Sequence, residues 1–591
     1  MVLLLAIACK DPLPTADGGM LGQGAAWPYP STQVMEDGFV RLPDDMLPVV
    51  TTPMPVERLD HRTGFSPLQS ALVRLERIDE DALPSAAAPE RSGAVQLIDL
   101  DTGQRVLTFA EVDSGEGADG RLLLIRPLEL MGDGHRIAVV VTTDAAPRPE
   151  AFQAVLDGAD PADLPEIGPR TRQLVDELDG FGVPTAEIAV AWDFPVDHAR
   201  EPVQAMLEDL DPATGWDWIK IDEAENLPEG LHKRLQGTFT TDSWLVDDSM
   251  LDLDEDGLPH KTGTLEADLY IHIPDSVADA EPGTVPVIIW GHGLFNHCKY
   301  IFSDTDDPDH FREWSNRLEA IVVATTWRGL TRSDLPDVVG VANDIGTFPE
   351  ISERLHQGVV NHAALVDLVI EGGLMEDEEL LGLADTSRVS YVGVSAGAIM
   401  GSVALATIPE LQHGLLHVGG GSWSITFPRS ANWDEFENLV TYGVEDSTER
   451  QLIYAMIQMY WDPVDPVSWS ADLADRSILL QETVGDDEVS NLGTETLARS
   501  AGWALYDPSA TTPDGLELST PGRGPVLVQF DPQFPDASNG NQPSERTGAH
   551  REVRTWESAK LQLLRFLDHD DPGVVEHFCG SEVCAADNSV E

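Results

Sequence analysis

RVSYVGVSAGAIMGSVALA, residues 388–406, runs from a short β-rich segment through Gly393-Val394-Ser395-Ala396-Gly397 into small, helix-compatible residues. A strand that passes directly into a helix needs small residues on both sides of the turn, because the two backbones nearly touch. A serine at the apex stands clear of the sheet, with its Oγ exposed and the next backbone N–H beside it. The five-residue pattern alone is a weak signal in a chain with 50 glycines. Its place between a strand and a helix is what gives it weight.

The pattern around it repeats the same alternation. VPVIIWGHG at 285–293 is almost continuously apolar, as a strand buried on both faces must be. IVVATTW, VSYVGVS, LLHVGGG, SILLQETVG and GPVLVQFDP follow it. Most are separated by helical segments such as FREWSNRLEA and ERLHQGVVNHAALVDLVIEGG. This argues for an α/β, doubly wound, mostly parallel sheet over 233–570, led in by LQGTFTTDSWLV and LEADLYIHIPD. Residues 36–146 read differently. VQLIDL, RVLTFAEV, RLLLIRPL and HRIAVVVTT are separated by turn signals, the spacing of an antiparallel β-sandwich. Residues 147–232 are mixed, with two helical segments and the strand-like EIAVAWDFPV, and either extend the sandwich or bridge to the sheet.

Across the 591 residues, 103 acidic side chains stand against 36 basic ones, a net charge of −67. Such a field excludes nucleic acid and anionic membrane as electrostatic partners. Residues 1–9, MVLLLAIAC, resemble a bacterial lipoprotein signal whose lipidated residue would be Cys9, and the Gly- and Pro-rich stretch up to residue 35 reads as a tether. That pattern implies an exported protein with a lipid anchor in the cell envelope. Cys579 and Cys584 close a short loop in the C-terminal tail, 571–591, and in an exported protein form a disulfide. No metal site is expected there, since only His577 is at hand. Asp252 to Gly257 starts like a calcium loop, but Gly263 stands where the last ligand should be, so a polar turn is expected.

The candidate residues occur in a telling order. Gly291-His292-Gly293-Leu294 follows a strand and offers close-approaching N–H groups, of which that of Leu294 pairs with that of Ala396 as an oxyanion site, Phe295 being the fallback. Ser395 needs a base. After SILLQETVG comes Asp486-Asp487-Glu488-Val489; spacing selects Asp486 as the acid, with Asp487 its rival and Asp462 and Asp465 weaker. After the last strand a polar loop leads to His550 and a final helical segment; His569 and His577 lie beyond it. Oxyanion loop, serine, acid, histidine is the chain order of the α/β-hydrolases, and the C-terminal region resembles their esterase and lipase branch. With GHGLF, GVSAG, GDDEVSN and AWDF, the whole chain resembles bacterial extracellular lipases and surface lipoprotein lysophospholipases, a resemblance that implies an immunoglobulin-like β-sandwich over 36–146 joined to a hydrolase domain.

The resemblance implies a Ser395–His550–Asp486 triad, an acyl-enzyme intermediate and no cofactor. The implied substrate is a small-molecule or lipid ester, with a peptidase, a polymer esterase or a non-catalytic binding protein as alternatives. The segment 423–473 is rich in aromatic and apolar residues and reads equally as a lid or as a small helical subdomain with its own core.

Overall fold

A computed structural model describes residues 28–43, 51–160, 167–213, 215–299, 309–535, 540–586 and 588. The signal-like segment, most of the tether and the lipidation candidate Cys9 lie outside the described residues.

The strands of the large sheet, numbered in chain order, are β1 (Trp216–Glu223), β2 (Leu231–Ser243), β3 (Gly263–Pro274), β4 (Val285–Gly291), β5 (Ile321–Ala324), β6 (Ala384–Val394), β7 (His413–His417), β8 (Ser477–Thr483) and β9 (Val526–Asp531). Their order across the sheet is β1-β2-β3-β5-β4-β6-β7-β8-β9, continued by two short strands beyond β9. From β1 to β5 neighbours are antiparallel, and from β5 to β9 they are parallel. This is the doubly wound α/β sheet expected from the sequence, with an antiparallel lead-in. Growth of the sheet reverses at β4, which has β5 on one side and β6 on the other. A ligand crevice forms at the carboxyl ends of strands at such a switch point.

β4 is buried at every position. Val287 and Ile289 enter one core with Ile321 and Val323, while Ile288 and Trp290 enter the other with Val322 and Ala324. Alternating side chains thus feed two cores, and helices must cover both faces. The long helix Pro349–Ile370 and the helix Ala396–Thr407 lie in the first core; the helix Glu557–Phe566 lies in the second.

The N-terminal part forms a three-stranded and a four-stranded antiparallel sheet. Strands from the mixed stretch 147–232 join both neighbouring sheets. Ile188–Pro195 pairs with Arg136–Thr142, so the four-stranded sheet takes its edge strand from beyond residue 146. β1 pairs with β2, so the large sheet begins before residue 233. β1 is an edge strand in which aromatic and apolar residues alternate with charge, and no residue of it is buried. Such a strand carries a weak apolar signal in sequence. At the other end, Cys579 and Cys584 are disulfide-bonded, and Cys584–Ala585 pairs with β9, which ties the tail to the sheet.

Within 423–473 the longest helix is enclosed. In the helix Ser447–Trp461 only Glu449 is not buried. Gln69 donates to the Ala455 carbonyl at 2.9 Å, and Arg62 and Ser66 bond Asp462 at 3.0 and 2.6 Å. The helix is wedged between the N-terminal segment that carries Arg62, Ser66 and Gln69 and the helix Pro349–Ile370.

Burial also sets how stability responds to acid. Desolvation pushes His292 down to about 4 and His272, His356, His362 and His417 to about 3. Between pH 6.5 and 5 the unfolded chain protonates these histidines and the folded chain does not, so stability falls as pH falls. Asp462, raised to about 6 by burial, and Glu482, raised well above the usual range by burial and the nearby Glu495, act in the opposite direction, as do the buried carboxyls of Glu353, Asp465 and Glu495. His356→Phe isolates the histidine contribution: its urea midpoint should fall less, or rise more, from pH 7 to 5 than that of the wild-type chain, and an unchanged pH dependence would rule the contribution out.

Candidate active site

Ser395 occupies the turn between β6 and the helix Ala396–Thr407, with φ 58° and ψ −126°. A non-glycine residue there costs about 1–3 kcal/mol and persists only when its surroundings enforce it. They do. Ser395 N–H donates to the His417 carbonyl at 2.9 Å, and the Tyr391 hydroxyl donates to the Gly397 carbonyl at 2.6 Å. A Cβ on Gly397 would come within 2.7 Å of the His292 carbonyl oxygen, so only glycine lets the turn approach the loop after β4. Phe295, Val418 and Ser422 also have φ between 48° and 53°, and they follow β4 and β7 at the same sheet edge.

The loop after β4 is held by His292, which is 1% exposed. Trp327 N–H donates to His292 Nε2 at 2.9 Å, so the proton sits on Nδ1, which donates to the Gly293 carbonyl at 2.9 Å. That carbonyl and the Leu294 N–H belong to one planar peptide, so fixing the first aims the second. A Cβ on Gly293 would lie 3.9 Å from Ser395 Oγ, which places this peptide beside the serine. Phe295 N–H already donates to the Leu330 carbonyl at 2.9 Å, which removes the fallback donor. The Ala396 N–H is the first of a helix, where no preceding turn accepts it.

The two adjacent aspartates have different work. His550 Nδ1 lies 2.9 and 2.8 Å from the two oxygens of Asp486, and both residues are nearly fully buried. Asp486 Oδ1 also accepts from the N–H groups of Glu488 and Val489, both at 2.8 Å. Asp487 accepts instead from the backbone N–H groups of Thr547, Gly548 and His550 at 2.9, 3.1 and 3.1 Å. Burial opposes its charge, but these three donors hold its carboxyl below the usual range. Glu488, which sequence reasoning passed over, lies with Oε2 3.8 Å from His550 Nε2. Burial opposes its charge too, and His550, Asn432 and Arg551 outweigh it.

Among the described residues no hydrogen bond joins Ser395 Oγ to His550; such bonds are often loose before substrate arrives. The sheet nonetheless brings the groups to one edge, since Val394 pairs with His417 and His417 with Gln481 on successive parallel strands. Asp462 and Asp465 are elsewhere: Asp462 pairs with Arg62, and Asp465 accepts the N–H groups of Ser422 and Trp423. His569 and His577 bond the carbonyls of Leu318 and Glu582. Asp252 to Gly257 forms a turn in which Asp254 accepts from Asp256 and Leu258 N–H.

Cys298 is buried, with desolvation raising its thiol far above the usual range. Asp268, His297 and Cys298 come within 4.8 Å of one another. Yet Cys298 faces His297 Nδ1 and Asp268 faces Nε2, on opposite sides of the ring, so the three do not converge on one point.

An apolar cavity of about 40 Å³ lies between the helices Leu335–Asn343 and Ser447–Trp461. Trp423, Phe427, Trp433, Tyr454 and Trp461 form its aromatic wall. Leu330, whose carbonyl holds Phe295, lines its other side.

No family model and no curated protein matches the chain. Solved structures match it faintly. An acetyl xylan esterase from a Paenibacillus species has 13% identity and a TM-score of 0.35, over 62% of this chain and 91% of that one. A thermostable esterase from Pseudomonas putida has 15% identity and a TM-score of 0.27, over 52% and 78%. A puromycin-hydrolyzing peptidase from Mycobacterium tuberculosis has 12% identity and a TM-score of 0.31, over 60% and 49%. The fold is defined by the strand order and register of the large sheet.

Proposed function

We propose that this chain is a serine hydrolase of carboxylic esters, with Ser395 as nucleophile, His550 as base and Asp486 as the acid that orients it. The observation that carries this reading is the strained Ser395 turn at the same sheet edge as a buried His550–Asp486 pair. Ser395 Oγ forms a bond to the ester carbonyl carbon as its proton passes to His550 Nε2. Asp486, on Nδ1, stabilises the imidazolium. The Leu294 and Ala396 N–H groups receive the oxyanion. The C–O bond to the alcohol then breaks as His550 returns the proton to the leaving oxygen. Water, deprotonated by His550, adds to the acyl-enzyme carbonyl, and release of the acid returns a proton to Ser395. Asp487 acts on the loop that carries His550, and no cofactor enters any step.

A lipid or lysophospholipid ester is the substrate reading we adopt, supported by the resemblance that GHGLF and GVSAG carry and by the apolar cavity that reaches Leu330, whose carbonyl accepts from Phe295 N–H. A p-nitrophenyl ester series should peak in kcat/KM at an acyl chain longer than acetyl. A preference for acetyl, or cleavage of peptides alone, would shift the reading to a polymer esterase or a peptidase. The disulfide supports export. A lipid anchor through Cys9 and a sandwich-like packing of the two N-terminal sheets belong to the same reading. No described helix is long and apolar enough to cross a membrane.

A further inference from the structure

His550 is reached through the connection from β9 to the helix Ala549–Glu552, whose described residues form no helix or strand. A connection of this length keeps one shape only if other segments grip it. Asn541, 3% exposed, is the first grip. Its Nδ2 donates to Asp113 Oδ1 at 2.9 Å, and its Oδ1 accepts from the hydroxyl and the N–H of Ser114 at 2.5 and 3.3 Å. Gln542 donates to the Ser114 carbonyl. Further along, Ser544 N–H donates to the Arg429 carbonyl at 2.9 Å, and the Arg429 guanidinium pairs with Glu111 at 2.6 Å.

Glu111, Asp113 and Ser114 all belong to one N-terminal hairpin, between Thr108–Val112 and Leu122–Pro127. Asp113, 4% exposed, also accepts from Ser447 Oγ at 2.5 Å and Gln451 Nε2 at 3.3 Å. One carboxylate therefore ties the buried wedge helix to the histidine loop. Nothing else in the proposed chemistry requires an N-terminal carboxylate so fully surrounded by donors from the other end of the chain.

We propose that the tip of this hairpin, Asp113 with Ser114, is a positioning device for His550 that acts through Asn541. It rests on the reading of Ser395, Asp486 and His550 as the catalytic set. A base displaced by about 1 Å loses on the order of 100-fold in rate, while a substrate pocket formed elsewhere binds as before. Asp113→Ala should lower kcat about 10- to 100-fold with KM within about twofold, and slow fluorophosphonate labelling of Ser395 in parallel. Asp113→Asn, which keeps an oxygen acceptor for Asn541, should recover most of the rate. Hydrogen exchange should rise in peptides covering 540–550. Asn541→Ala tests the same link should Asp113→Ala fail to fold, and Arg74→Ala, which removes an ion pair to Asp119 in the turn of the same hairpin, should leave kcat unchanged.

Folded Asp113→Ala and Asn541→Ala proteins that label at the wild-type rate would overturn the proposal alone. Loss of rate that Asp113→Asn does not restore, with exchange raised across the N-terminal sheets, would reduce Asp113 to a structural residue and overturn it too. Wild-type protein that does not label at Ser395 would sink the catalytic reading, and the positioning role with it.

Discussion

Ser395→Ala should abolish ester hydrolysis, with kcat falling on the order of 10⁴- to 10⁶-fold while the protein stays folded. The size of the loss follows from the proposed mechanism. Without Oγ there is no acyl-enzyme, and the remaining oxyanion N–H groups and bound substrate supply only a small residual rate. Folding should survive, because the turn is held by backbone and neighbouring side chains: the Ser395 N–H on the His417 carbonyl and the Tyr391 hydroxyl on the Gly397 carbonyl. Alanine keeps the same Cβ in the same strained turn, so stability should change little. Stopped assays with p-nitrophenyl esters and fluorophosphonate labelling read the effect directly, and an unfolding curve checks the fold. A variant retaining more than about one hundredth of the wild-type rate would place the nucleophile elsewhere.

Asp486→Asn and Asp487→Asn should separate just as sharply. The amide introduced by Asp486→Asn would still fill the site, but it cannot hold the His550 tautomer with the proton on Nδ1, and a loss on the order of 10⁴-fold in kcat is expected. Asp487 touches His550 only through the backbone N–H at 3.1 Å and grips the Thr547 and Gly548 N–H groups. An asparagine there keeps one oxygen acceptor, so the loss should be about 10-fold and accompanied by lower stability. kcat at fixed pH, with urea midpoints for both variants, distinguishes the two. Equal losses, or the larger loss at Asp487, would reverse the assignment.

Much of this site is legible in the sequence. The small residues around Ser395 announce the turn because two backbones must pass within a methyl group of each other there, and the structure places Gly397 against the His292 carbonyl. The apolar run 285–291 announces a central strand because burial on both faces leaves no room for polar residues. β1 and Ile188–Pro195 are harder to assign. The first is a half-exposed edge strand, and the second is apolar but gives no sign of which sheet it joins.

The alternation of strands and helices, the position of the serine turn and the chain order of serine, acid and histidine can all be read without coordinates, because each depends on local periodicity or on order alone. Three matters needed the folded chain: the different directions of Asp486 and Asp487, the spent N–H of Phe295, and the burial of the helix Ser447–Trp461. Neighbouring carboxylates have the same composition and differ only in direction, and a backbone N–H is free or spent according to a carbonyl 35 residues away, at Leu330. An aromatic helix has the same pattern whether it covers a pocket or is itself covered. The clasp of Asn541 by Asp113 spans 428 residues, and no local rule reaches that far.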